Sequence, residues 1–126
     1  MEWNHAQQSI KEALKVGTDL NTPGSQYRFV KKVDVPINSK GYGYNGETGF
    51  VVSIGKASSS VVKIPWSMLK ASFWQAQSPA GYSGTSFRQL YPKQAWVHPC
   101  HVHVVGRILE VAGVAQLSEG AYHCFR

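Results

Sequence analysis

Acidic residues are what this chain has least of. Seven Asp and Glu stand against thirteen Lys and Arg in 126 residues, and none lies between Thr48 and Leu109, where Lys56, Lys63, Lys70, Arg88, Lys93 and Arg107 all fall. Outside that segment Lys11, Lys15, Arg28, Lys31, Lys32, Lys40 and Arg126 are balanced by Glu2, Glu12, Asp19, Asp34, Glu47, Glu110 and Glu119, so the whole formal excess of +6 sits in one central stretch. With so few carboxylates, a mechanism built on two of them has few candidates. Two cysteines, Cys100 and Cys124, are too few for a disulfide framework and are expected as thiols packing like small apolar groups. No apolar run approaches the roughly 20 residues that cross a bilayer. The amino end, Met1-Glu2-Trp3-Asn4-His5, lacks the charged-then-apolar order of a secretory signal. The expectation is a cytoplasmic protein with no membrane partner. A charged fraction of 16% argues against wholesale disorder, and the length suits one domain over residues 1–126 with its own core.

What is present reads as alternating patterns. Trp3, Ala6, Ile10, Ala13 and Leu14 recur on one stripe, which predicts an amphipathic helix over about 2–16 stopped by Gly17. Asn21-Thr-Pro-Gly is turn chemistry, after which Tyr27, Phe29, Val33 and Val35 predict a strand that Pro36 ends. Gly41-Tyr42-Gly43-Tyr44-Asn45-Gly46 suits a hairpin tip, and its glycine spacing fits neither the P-loop nor the dinucleotide fingerprint. Residues 50–54 and 60–64 predict two further strands and an antiparallel meander. Pro65 opens a helix whose stripe is Trp66, Leu69, Phe73 and Ala76, widened by Met68 and Trp74. Thr85 can cap a short helix over 85–91 that Pro92 stops. A long apolar helix follows over 98–112, ended by Gly113, and a hairpin turns at Ser118-Glu119-Gly120. The expected fold class is therefore α+β: an N-terminal helix, an antiparallel sheet of about three strands with helices packed on it, and a C-terminal helix plus hairpin, in an order like that of a winged helix.

The run Trp96-Val-His-Pro-Cys-His-Val-His holds the densest set of potential metal ligands. On a regular helix His101 and His103 project about 160° apart, so they cannot share an ion. Cys100 and His103 can, with His98, His5, His123 and Cys124 as further candidates. The paired-cysteine spacing of structural zinc modules is missing, and so is the deaminase pattern. No metal or other cofactor is therefore expected. Cys100 near a helix N-terminus with a histidine at hand is the thiol-nucleophile alternative, which has no supporting motif.

Binding is favoured over catalysis. The first reading is nucleic-acid backbone contact through the basic segment and the tyrosine loop, using Lys40, Tyr42, Tyr44, Lys56, Lys63, Arg88, Lys93 and Arg107. The long helix itself is too apolar for a recognition helix, offering only His103, Arg107 and Glu110. The competing reading is a protein-interaction or small-ligand module, in which Trp66, Trp74, Tyr82, Phe87 and Trp96 line a groove or a homodimer face.

Taken together, Asn21-Thr-Pro-Gly, Ile64-Pro-Trp-Ser-Met-Leu, Gly81-Tyr-Ser-Gly-Thr-Ser-Phe-Arg-Gln-Leu and Gly106-Arg-Ile-Leu-Glu-Val-Ala-Gly-Val-Ala resemble small proteins encoded by integron gene cassettes and other mobile elements, over roughly residues 21–126. The resemblance implies an origin on a mobile element and assigns no catalytic residues.

Overall fold

The computed structural model describes residues 1–21, 31–39, 48–54, 60–97 and 101–125. The tyrosine loop, Tyr27, Phe29 and residues 98–100 lie outside them. Within the described residues the chain is α+β, with five helices, a three-stranded antiparallel sheet and a separate two-stranded hairpin.

Helix α1 (Trp3–Ala13) buries Ala6 and Ile10, and Trp3 packs edge-on to Trp66 and tilted against Phe73. It is shorter than its apolar stripe predicts. Leu14 leaves the helix with extended backbone, which drives its side chain into the core. Gly17 then turns with φ +90°, a conformation that costs a side chain-bearing residue, and donates its N–H to the Val33 carbonyl at 2.7 Å.

The sheet runs β1 (Lys31–Ser39), β2 (Gly49–Ile54) and β3 (Ser60–Pro65) in that spatial order. The expectation that Pro36 ends the first strand is corrected here: β1 continues through it to Ser39, with register shifts on either side of Val35. This is physically cheap because β1 is an edge strand, where a missing N–H need not interrupt a ladder. The β2–β3 register is unbroken from Gly49 opposite Pro65 to Ile54 opposite Ser60. Val33, Val52, Val62 and Ile64 join the main core, which the helices complete.

Pro65 is the N-cap of α2 (Trp66–Gln77), which follows β3 without a loop and buries Trp66, Met68, Leu69, Phe73 and Ala76. Helix α3 (Gly84–Leu90) is capped by Ser83 and not by Thr85: Ser83 N–H donates to Ser86 Oγ at 2.8 Å, and Ser83 Oγ accepts from Ser86 N–H at 3.5 Å. Pro92 does more than stop α3. It opens a further helix, α4 (Pro92–Val97), which interrupts the expected winged-helix order.

Helix α5 (His101–Val111) is a core element, with Val102, Val104, Val105, Gly106, Ile108 and Leu109 all buried. Strands β4 (Ala115–Ser118) and β5 (Ala121–Cys124) close on Glu119 at φ 52° and Gly120 at φ 83°, the two left-handed positions a primed hairpin turn requires. Tyr82 and Tyr122 exchange backbone hydrogen bonds of 2.9 and 2.7 Å, which ties this hairpin to the loop before α3.

Candidate functional site: a cationic cleft beside the edge of the sheet

Alternation along β3 sends Val62 and Ile64 into the core and leaves Val61 and Lys63 on the exposed face. On α4, Lys93 and Val97 stand four residues apart and so share a face, while Ala95 is turned inward. These two surfaces meet across a cleft of about 440 Å³ lined by Val61, Val62, Lys63, Lys93, Gln94, Val97 and His101. Val61 and Val97 are 47% and 59% exposed, so the walls are apolar and open to solvent.

His101 forms the inner end of the cleft. Its Nε2 lies 3.0 Å from the Lys63 carbonyl, which can only accept, so that nitrogen carries the proton. The ring is 2% exposed and tilts against Phe87 at 5.3 Å. Phe87 in turn meets Tyr82 edge-on and Tyr91 at 5.4 Å. The aromatic cluster therefore fixes the imidazole, and the imidazole ties α5 to β3.

Among the cations expected to form a basic face, Lys63 and Lys93 converge here. Arg107 does not: its Nη1 donates to Glu110 Oε1 at 2.6 Å and its Nε to the Asn21 carbonyl at 3.3 Å. Arg88 folds over the first turn of α3, where its guanidinium is the nearest group to a Cβ built on Gly84. Lys40, Tyr42, Tyr44 and Lys56 lie outside the described residues.

The aromatic candidates divide sharply. Trp66, Tyr82 and Phe87 are core residues and do not form the wall of an open groove. Helical periodicity puts Trp66 and Phe87 inside on α2 and α3, while Tyr82, in the loop before α3, is held there by its backbone bridge to Tyr122 and its hydroxyl bond to the Val102 carbonyl. Trp74 and Trp96 are surface residues, 53% and 87% exposed. Trp96 flanks the Lys93–Val97 face of α4 in helical projection.

The metal candidates do not assemble. Among the described residues no three of His, Cys, Asp and Glu gather as an ion would require, and His98 and Cys100 lie outside them. The split between His101, buried, and His103, exposed, follows the helical projection. His123 lies over Gly81 on the hairpin side. Cys124 is a free thiol beside the Phe73 carbonyl, at 3.8 Å. Burial pushes its pKa up, against a smaller opposing pull from the N-terminal amine, which is the wrong direction for a nucleophile. Burial also raises the pKa of Tyr82, whose hydroxyl donates to the Val102 carbonyl at 2.8 Å, and that of Tyr122, where the nearby Glu110 carboxylate adds to the effect.

Sequence reasoning missed Val61, Gln94 and Val97, and it placed His101 against the core without showing that it ends a cleft. The alternation of β3 and the i, i+4 spacing of Lys93 and Val97 were available signals, but nothing local shows that residues 61–63 and 93–97 face each other. Comparison with protein-family models, curated proteins and solved structures returns no match for this chain. No helix among the described residues is long and apolar enough to cross a membrane.

Proposed function

We propose that this chain is a binding module whose recognition site is the cleft between β3, α4 and the start of α5, and whose partner offers an anionic group beside an apolar body. The observation that carries this reading is the convergence of Lys63 and Lys93, from elements thirty residues apart, on a cleft with valine walls. No acid lies between Thr48 and Leu109, the segment that supplies every described lining residue, so among these no carboxylate competes for the two ammonium groups. The cassette resemblance adds an origin to this reading and no chemistry.

Anilinonaphthalene sulfonate combines an apolar ring system with a fixed negative charge and suits the test. The native chain is expected to enhance its fluorescence. The double variant K63E/K93E is expected to bind it about tenfold more weakly, since each rim charge is worth up to about 1 kcal/mol. Near-ultraviolet circular dichroism checks that both proteins are equally folded. Equal fluorescence titrations for the two would remove the cleft as the site.

A second reading, contact with a nucleic-acid backbone, draws on the acid-free segment itself. The same two lysines would supply its phosphate contacts, and Arg107, held by Glu110, would not.

A further inference from the structure

We infer that the occupant of this cleft is an extended peptide segment carrying a carboxylate, which adds antiparallel to the outer edge of β3. The inference rests on the binding reading above and adds to it the partner's class and its docking mode.

The ladder pattern shows which backbone groups face outward. Trp66 N–H donates to the Thr48 carbonyl at 3.3 Å, one step beyond the Gly49–Pro65 pair. Hydrogen-bonded and non-hydrogen-bonded pairs alternate in an antiparallel ladder, so Ile64, Val62 and Ser60 direct their polar groups to β2. Val61 and Lys63 direct theirs away from it. The Lys63 carbonyl confirms the parity, because it is the group His101 reaches from outside the sheet.

The two edges of the sheet are treated differently. At β1 the outward groups of Val33 are satisfied by the chain itself: its carbonyl accepts from Gly17 N–H at 2.7 Å and its N–H donates to the Thr18 carbonyl at 3.2 Å. At β3, among the described residues, the Val61 N–H, the Val61 carbonyl and the Lys63 N–H have no such cover. His101 takes the fourth outward group and Pro65 has no N–H to offer. What remains is a row of three backbone groups opening onto the cleft.

An antiparallel strand exchanges two hydrogen bonds at Val61 and accepts a third from Lys63 N–H. Its residue opposite Lys63 lies beside that ammonium, with Lys93 across the cleft, and an acidic side chain fits there. Its residue opposite Val61 meets an exposed valine, and the one between them turns toward the apolar wall at Val62 and Val97. The required core is thus acidic, apolar, apolar. A nucleic acid fits this cleft less well, because none of its described lining residues is a Phe, Tyr or Trp on which a base could stack.

The test uses the full chain, nitrogen-15 labelled, and a blocked pentapeptide Thr-Glu-Val-Val-Thr. The expected result is a saturable shift of the Val61 and Lys63 amides, with hydrogen exchange slowed at both. The same peptide N-methylated at its second valine loses one ladder bond and is expected to bind about tenfold more weakly. Val61→Pro removes an outward N–H that β2 does not use, and is expected to abolish peptide binding while its near-ultraviolet circular dichroism matches that of the native chain. If the peptide shifts Lys93 and Val97 but leaves exchange at Val61 and Lys63 unchanged, or if the N-methylated peptide binds equally well, strand addition is overturned and the cleft stands as a binding site. A response to a short oligothymidylate and none to the peptide overturns the peptide assignment. Silence toward peptide, oligonucleotide and sulfonate alike overturns both readings.

Discussion

Gly106 and Tyr122 are fitted to one another at the centre of the molecule. A Cβ built on Gly106 would overlap the Tyr122 ring, whose backbone is already fixed by the bridge to Tyr82. The ring cannot retreat toward Tyr82, whose own ring lies 5.9 Å away. Alanine is the better helix former by about 1 kcal/mol, yet overpacking a core costs roughly 1–3 kcal/mol, and here the obstacle is a ring held on two sides. Gly106→Ala is therefore expected to lower stability by about 2 kcal/mol, read as a lower urea midpoint with an unchanged slope. A midpoint equal to or above that of the native chain would mean that the tyrosine ring does not rest on α5. From sequence, Gly106 reads only as a weak point in an apolar helix. Its packing role belongs to a residue sixteen positions away, and no local pattern announces it.

At the scale of elements, what was legible followed from period and turn chemistry. The buried face of α5, the opposite placement of His101 and His103, the three-stranded meander and the primed hairpin at Glu119-Gly120 all derive from local pattern. Two misses share a different cause, since each depended on what the element met. Pro36 sits inside β1 because that strand lies at the edge of the sheet. Leu14 leaves α1 because the core draws it out of the helix. Helix α4 is too short to show an apolar stripe, as Ala95 is the single residue it buries. The cap of α3 is the miss that is easiest to test. Ser83 and Ser86 form a reciprocal pair across the first turn, and Ser86 Oγ also donates to the Ser83 carbonyl at 3.0 Å. Ser83→Ala is expected to cost about 1 kcal/mol. Thr85→Ala, which lies between the two serines and outside their exchange, is expected to cost a few tenths at most, a threonine being a poorer helix former than alanine. Thermal melts of the two variants distinguish the caps, and an equal loss would return the role to Thr85.

For the whole molecule, the question is how much of the +6 charge is available to a partner. A count of cations overstates it. Arg107 is closed off by Glu110, whose other oxygen accepts from the Leu117 N–H at 3.4 Å, so that pair fastens α5 to β4 and adds no net field. Arg88 lies along its own helix. Of the described cations proposed for backbone contact, Lys63 and Lys93 are the two with a shared target. Salt dependence measures this number directly, because each phosphate neutralised on duplex DNA contributes about −0.9 to the slope of log affinity against log salt. If duplex DNA binds through these two lysines, the slope is expected near −1.8. It should fall toward zero in K63E/K93E and stay unchanged in Arg107→Gln. A slope of about −4 or steeper would require the cations at positions 40 and 56 to join them, and would move the centre of binding from the cleft to the tyrosine loop. A slope indistinguishable from zero would leave the cleft to an occupant recognised by its backbone and its apolar side chains, for which two ammonium groups set the register and do not by themselves supply the affinity.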